Sequence, residues 1–350
     1  MMSPRTTRPT SQKRVERPTM IDVAEASGTS LKTVSRVVNG ESGVRPELVE
    51  KVNKAIAKLN YRHNQTAGSL RRIGGRTRTI GLLLEDISNP FSASLLRSVE
   101  DSARERNIEV FAGSLDDDPL RESTIVQAFT TRRVDGLIIV PCSEDHKYLE
   151  LERRSGNHFV FVDRPAHNFE ADTVVATNKV GTQTAVESLI KNGHRRIAFL
   201  GDAKSIYTAQ ERHSGYVAAM KAAKLPVDKS WMQLGFKDSA SIAAKVLQLF
   251  ELAEPPTAIF SAQNLITLEV VRVLRSLGAA KKCALIGFDD IPLADLMEPA
   301  ISLVTQDIPA MGKEAAEMLF ARLDGNNSPF HTRVVETTFT QRASGLIKPR

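Results

Sequence analysis

Residues 19–39 read TMIDVAEASGTSLKTVSRVVN, and this stretch decides how the N-terminal part of the chain folds. Thr19 can cap a helix over Met20 to Ala26. Asp22 then falls in the first turn, where the positive end of the helix dipole favours a carboxylate. Gly28 stops that helix, Ser27-Gly28-Thr29-Ser30 forms a tight turn, and Ser30 caps a second helix running Leu31 to Asn39. A helix, a short glycine turn and a helix make a helix-turn-helix unit. In the second helix Val34, Val37 and Val38 recur at helical spacing and predict a stripe buried against Val23 and Ala24. Leu31, Lys32, Ser35, Arg36 and Asn39 then face outward.

A third helix is predicted from Pro46, a favourable first position, with Leu48, Val52, Ile56 and Leu59 on its apolar face and Lys51, Lys54 and Lys58 exposed. Charge sharpens this picture. Residues 1–18 carry a net +4 and residues 19–73 another +4, so that with +6 overall the rest of the chain carries −2. A small basic head therefore precedes a slightly acidic body, and a basic outward helix face suits nucleic acid better than a subunit-docking module.

The 350 residues allow two or three domains, and a composition of 41% hydrophobic and 25% charged residues excludes wholesale disorder, collagen and a disulfide scaffold. The apolar runs are far shorter than the ~18–20 residues that cross a bilayer, and the N-terminus lacks the apolar core of a secretion signal, so no membrane association and a cytoplasmic location are expected. Cys142 and Cys283 stand alone and read as small buried thiols, and the Cys142/His146 spacing reads as incidental rather than as a metal site.

From residue 19 to 70 the sequence resembles the DNA-binding head of the lactose and galactose repressor family. The pattern D-V-A-x-x-[AS]-G-x-S-x-x-T-V-S-R-V-x-N appears as Asp22 to Asn39, and L-N-Y as Leu59 to Tyr61. The resemblance implies that Leu31, Lys32 and Arg36 touch base edges in the major groove, while Thr19, Ser30, Thr33 and Asn39 fix the head to phosphates, with Ser35 also among the DNA-binding residues. Arginine and lysine can donate to guanine O6 and N7, and hydroxyls or amides near helix ends suit phosphate oxygens. Residues 63–72 match the family's hinge helix, with Asn64 as its cap, Leu70 as the side chain wedged into the minor groove, and Arg71 and Arg72 beside it on phosphates. Gly68 costs such a helix ~1 kcal/mol relative to alanine, so the hinge is expected to be unfolded off DNA.

From Thr79 onward, short aliphatic runs alternate with amphipathic stretches. The runs are Ile80 to Leu84, Ile108 to Ala112, Gly136 to Val140, His158 to Val162, Arg196 to Leu200, Thr257 to Phe260 and Ala284 to Gly287. Helical patterns at Ser92 to Arg106, Lys179 to Lys191, Ala209 to Ala223 and Leu265 to Ser276 separate most of them. Such alternation predicts parallel, doubly wound sheets, and the length predicts two lobes.

Segments such as Asn89-Pro90-Phe91, Val134-Asp135-Gly136, Asp163-Arg164-Pro165, Arg212-His213-Ser214-Gly215-Tyr216 and Gly287-Phe288-Asp289 extend the resemblance to the family's sugar-sensing core, which is akin to periplasmic binding proteins. It implies chain crossings between lobes near 162–164, 289–291 and 323–326. It also implies a ligand between the lobes at the C-terminal strand ends, touched by Phe91, Asp163, Arg212, Gln263 and Asp289. Carboxylates, a guanidinium and an amide suit vicinal hydroxyls, and a ring packs the apolar face of a sugar or base.

The expected organisation is an all-α helix-turn-helix head plus an α/β two-lobed, periplasmic-binding-protein-like core with parallel doubly wound sheets. Its parts are a basic arm (1–18), the head (19–62), a hinge (63–78) and the core (79–350), with lobes of 79–162 plus 291–323 and 164–289 plus 326–342. The expected activity is that of a repressor-like transcription regulator, associated with the nucleoid. As a homodimer it would bind double-stranded, near-palindromic operator DNA under control of a sugar, polyol or nucleoside-like effector, without a cofactor or bound metal. The pairing follows because one short helix reads too few base pairs for genomic specificity. Helices near 92–106 and 265–276 are the candidate dimer contacts, and no heptad repeat follows Arg342. G-x-G-x-x-G after the first strand, G-x-x-x-x-G-K-[ST], H-E-x-x-H and G-x-S-x-G are all missing, so no catalysis is expected. The competing readings are a helix-turn-helix fused to an enzyme, for which no nucleophile and base are found, and a non-regulatory sugar-binding protein, which leaves the basic head and Leu70 unexplained.

Overall fold

The structure, a computed structural model, describes residues 18–61, 76–236 and 238–349. The chain divides into two compact units, 1–77 and 78–350. The hinge residues Asn64, Leu70 and Arg71, and all but the last residue of the basic arm, lie outside the described residues.

In the first unit α1 (Met20–Ser27), α2 (Leu31–Val38) and α3 (Pro46–Leu59) surround a small core of Val23, Ala24, Val34, Val52, Ala55 and Tyr61. Val37, Val38, Ile56 and Leu59 pack at its edge, so the stripe expected in the second helix is fully buried only at Val34. Gly28 ends α1 at φ 63°, a left-handed conformation that glycine adopts without a Cβ clash, and its N–H reaches back to Ala24 and Glu25.

The second unit holds two six-stranded sheets. In strand order the first is β11-β5-β4-β3-β1-β2, built from β1 (Thr79–Leu84), β2 (Glu109–Ser114), β3 (Gly136–Ile139), β4 (His158–Val162), β5 (Asp172–Ala176) and β11 (Thr332–Val335). The second is β12-β10-β9-β8-β6-β7, from β6 (Ile197–Gly201), β7 (Met232–Leu234), β8 (Ala258–Ser261), β9 (Ala284–Phe288), β10 (Ser302–Gln306) and β12 (Thr337–Thr340). All pairings are parallel except β10 with β12.

Parallel sheets need cover on both faces, and the strands read accordingly as near-continuous apolar runs. Along β1, Ile80, Leu82 and Leu84 point to one core with α4 (Pro90–Glu105) and α11 (Ile308–Leu323), while Leu83 joins Leu137, Ile139, Phe159 and Phe161 on the other face with α5 (Pro119–Thr131) and α6 (Leu149–Arg154). The second sheet repeats the arrangement with α7 (Asn178–Lys191) and α8 (Tyr207–Ala222) on one face and α9 (Ser239–Phe250) and α10 (Asn264–Ser276) on the other. At Gly215 on α8 an added Cβ would meet the Lys179 carbonyl and lie 2.9 Å from the Thr182 Cβ, so α7 and α8 approach this closely only because that side chain is a hydrogen.

The sheet orders correct the expected crossings. Residues 162–164 and 289–291 do not change lobe. Asp163 (φ 71°) and Asp289 (φ 67°) are left-handed turns whose N–H groups donate to Val174 O and Val304 O, both at 2.8 Å, in the next strand of the same sheet. Residues 323–326 stay in the first lobe because the Arg322 guanidinium ties the carbonyls of Asn326 and Ser328 to the buried Asp172 carboxylate. The chain crosses instead at Thr177, Asp307 and Glu336, each a single residue between elements of different lobes. The lobes are therefore 78–176 plus 308–335 and 178–306 plus 337–349. No described helix is long and apolar enough to cross a membrane.

Candidate functional sites

The outward side of the first unit is built on two caps. Thr19 donates to Asp22 Oδ2 from its N–H at 2.6 Å and from its hydroxyl at 2.8 Å, which holds the Asp22 carboxyl below its usual range, and Asp22 N–H donates back to Thr19 Oγ1 at 3.4 Å. Ser30 Oγ accepts from Thr33 N–H at 3.1 Å and lies 2.9 Å from Thr33 Oγ1. Leu31 is 44% exposed, although leucine is ordinarily buried, and Lys32 beside it is also exposed. Asn39 Nδ2 donates to Ser35 Oγ at 3.3 Å, one turn away. Arg36 is half-buried: its Nη2 donates to Ser42 O at 2.7 Å and its Nε lies 3.4 Å from the Glu41 carboxylate. The loop after α2 thus holds the guanidinium. These residues offer a compact polar and basic face around an exposed leucine.

The second site is a cleft of about 880 Å³ between the two lobes. Its walls come from loops at the C-terminal ends of strands in both sheets. Glu85 follows β1, Asp117 follows β2, Cys142 follows β3 and Arg164 follows β4; across the cleft Asp202 follows β6, Phe236 follows β7 and Gln263 follows β8. Strand-end loops are free of ladder bonding, and parallel topology collects them on one side, which is where open α/β sheets bind ligands.

Arg164 dominates the first wall. Though only 6% exposed, it places Nη1 2.7 Å from Asp117 Oδ1 and Nη2 3.4 Å from Glu85 Oε2. Burial alone would lower its pKa, but the surrounding carboxylates of Asp117, Asp163 and Glu85 raise it beyond the ordinary guanidinium value. Glu122, fully buried beneath, fixes the next loop by accepting from the N–H groups of Cys142 at 2.7 Å and Ser143 at 3.1 Å and from the Tyr148 hydroxyl at 2.7 Å. His146 Nε2 lies 3.2 Å from the same carboxylate. Burial pushes the Glu122 pKa up, yet these donors hold it at about 2.

Of the five cleft residues expected from sequence, Gln263 lies on the wall, where its Oε1 caps α10 by accepting from Ile266 N–H at 3.1 Å. Asp163, Arg212 and Asp289 are brought together but lie behind the wall, 6%, 4% and 6% exposed. Arg212 donates from Nε to Asn178 Oδ1 and from Nη1 to Ala262 O, both at 2.8 Å, and to Asp289 Oδ2 at 3.1 Å, with its guanidinium 3.9 Å over the Phe288 ring. Asp289 also accepts from Gln306 Nε2 at 2.7 Å. Phe91 packs at the edge of the first-lobe core. Sequence reading missed Glu85, Asp117, Arg164 and Asp202, although Glu85 and Asp202 are each the first carboxylate after the leading strand of a lobe. The wall also carries a direct bond between lobes, Asn264 Nδ2 to Asn89 Oδ1 at 2.8 Å.

Crowded acids make the cleft pH-sensitive. Burial, then Asp117, raises the Glu85 pKa from 4.5 to about 8 against the pull of Arg164, with Asp202 and Asp163 adding to the rise. Burial likewise raises Asp202 to about 6. A carboxyl whose pKa is raised on folding contributes stability below its unfolded pKa and loses it as pH rises through the folded value. Glu85→Gln is therefore expected to gain thermal stability relative to the parent chain as pH increases from about 4.5 to about 8. Melting curves of both proteins across that range check this, and a constant difference between them would contradict it.

A head with an outward polar and basic face, joined to a two-lobed core with an inter-lobe cleft, defines a protein that couples a ligand to nucleic acid. Comparison with known proteins agrees. "Bacterial regulatory proteins, lacI family" matches residues 19–64, and "Periplasmic binding protein-like domain" matches residues 186–345. The "Probable HTH-type transcriptional regulator EndR" of Paenibacillus polymyxa is 33% identical over 312 residues, spanning 87% of this chain and 91% of that one. The ribose operon repressor of Bacillus subtilis (strain 168) is 32% identical over 86% of this chain and 90% of its own length. Among solved structures, a complex of the transcriptional regulator CelR with cellobiose superposes with a TM-score of 0.69 at 28% identity, covering 94% of this chain and all of that one.

The chain belongs to the lacI family of bacterial regulatory proteins. It is a helix-turn-helix, DNA-binding transcription regulator with a periplasmic-binding-protein-like core.

Proposed function

We propose that this chain, as a homodimer, represses transcription from a near-palindromic operator and that a sugar, polyol or nucleoside-like effector bound between the lobes controls it. The observation that carries the reading is the pairing in one chain of a face with exposed Leu31 and Lys32 beside half-buried Arg36 and an inter-lobe cleft of about 880 Å³. Leu31, Lys32 and Arg36 read base edges in the major groove. Thr19, Ser30, Thr33, Ser35 and Asn39 lie around them to anchor the head, the hydroxyl and amide groups on phosphates. Asn64, Leu70 and Arg71 act in the minor groove through the hinge. Gln263 meets the effector directly, while Arg212, Asp163 and Asp289 hold the cleft floor in shape and Phe91 fixes the start of α4.

Operator binding by the full chain, titrated with a sugar panel, tests the scheme, and Arg36→Ala tests the reading head. That substitution is expected to cost ~1–3 kcal/mol on the cognate operator and less on random DNA, because a base contact discriminates and a phosphate contact does not. Equal losses on both DNAs move Arg36 to the phosphate-binding set.

A further inference from the structure

Among the described residues lining the cleft, acids outnumber cations. Glu85, Asp117 and Asp202 stand on its wall and Asp163 and Asp289 just behind, while Arg164 and Arg212 are the guanidinium groups among them. Glu144 and Asp145 add further carboxylates at the rim. Both arginines spend their donors on these carboxylates and on backbone or amide oxygens. At Glu85 burial first and then the Asp117 carboxylate raise the pKa, so the crowding of acids is felt there beyond the pull of Arg164. Arg164 Nε lies 3.5 Å from the Asp163 carboxylate, so all three guanidinium nitrogens face acids of this cluster.

A ligand that satisfies this excess brings positive charge for the carboxylates. An acidic sugar or a sugar phosphate adds repulsion to a site that already has too much, and a neutral sugar leaves the imbalance in place. We infer that the effector is a cationic polyol, a sugar-like molecule bearing an amino group, held by the Glu85–Asp117–Asp202 carboxylates. This deepens the proposed effector reading and rests on it.

The test is calorimetry of the full chain at pH 7 with matched sets in the gluco, galacto and manno series: the 2-amino sugar, the parent hexose and the uronic acid. In at least one series the amino sugar is expected to bind at least tenfold tighter than its parent, with no measurable binding of the uronic acid. Asp202→Asn and Asp117→Asn should each reduce that amine-to-parent ratio at least severalfold. If a parent hexose or a uronic acid binds as tightly as the amino sugar, or if the ratio survives both substitutions, the charge inference is overturned while the cleft remains an effector site. If no member of any series binds, the charge inference and the sugar-effector reading fall together.

Discussion

Raising salt from 50 to 200 mM is expected to weaken operator binding by ~10³–10⁵-fold. The reasoning starts from the placement of charge, since residues 1–73 carry a net +8 and the rest of the chain −2. Each phosphate neutralised by the head releases condensed counterions, giving a slope of about −0.9 in log K against log salt, and a dimer making on the order of 6–10 such contacts loses affinity by the stated factor. The exposed Lys32, Lys51, Lys54 and Lys58 supply part of this charge, with Lys54 partly neutralised by Glu50 at 2.7 Å. Fluorescence anisotropy with a labelled operator across a salt series reads the slope directly. A flat dependence would remove DNA-backbone contact as the source of affinity.

Arg212→Met is expected to destabilise the core by ~3–5 kcal/mol, the cost of removing one partner from a buried, hydrogen-bonded charge pair. The guanidinium serves Asn178 Oδ1, Ala262 O and the Asp289 carboxylate at once, so its loss leaves two buried acceptors without this donor and leaves a carboxylate with Gln306 as its remaining side-chain donor. Lysine cannot substitute, because one ammonium cannot reproduce the planar fork that reaches all three. Adding Asp289→Asn to Arg212→Met should recover part of the loss by removing the stranded charge. Urea unfolding of the core reads both values. A loss under ~1 kcal/mol from Arg212→Met would mean that the guanidinium is placed for a ligand and not for the fold.

How much of this was legible in sequence depends on the kind of signal. Helix caps and glycine stops are local, and Thr19, Gly28, Ser30 and Pro46 mark the head helices to within a residue of where they lie. Long aliphatic runs such as Ile80 to Leu84 announce buried strands for the same reason. The strands at Asp172–Ala176, Thr332–Val335 and Thr337–Thr340 escaped notice because each mixes polar residues with only a few apolar ones, the last reading Thr-Thr-Phe-Thr. Missing β5 and taking β10 for part of the other lobe displaced the crossings, since a left-handed aspartate at a strand end looks the same in sequence whether the chain then changes sheet or returns to it. The cleft followed a similar rule. Asp163 and Asp289 carried the resemblance, but their side chains sit behind the wall, and the residue beside one of them, Arg164, forms the wall itself. Which of two adjacent polar residues faces a cavity is decided by backbone dihedrals such as the φ of 71° at Asp163, which the residue type alone does not announce.

The three single-residue crossings have a consequence for what the cleft can say to the rest of the molecule. Thr177, Asp307 and Glu336 lie side by side, because β5 pairs with β11 and β10 with β12, and Thr337 N–H donates to Thr177 Oγ1 at 2.9 Å. A trans peptide leaves two soft torsions per residue, so the joint between the lobes has about six, laterally stitched together. One residue spans at most ~3.6 Å, which forbids the lobes from sliding apart and leaves a swing about the joint as the available motion. The output vocabulary is therefore almost a single word, open or closed, whatever molecule is read. Loops at the strand ends can drift toward a new ligand chemistry without rewriting that word, so the input and the output of such a sensor are free to evolve separately.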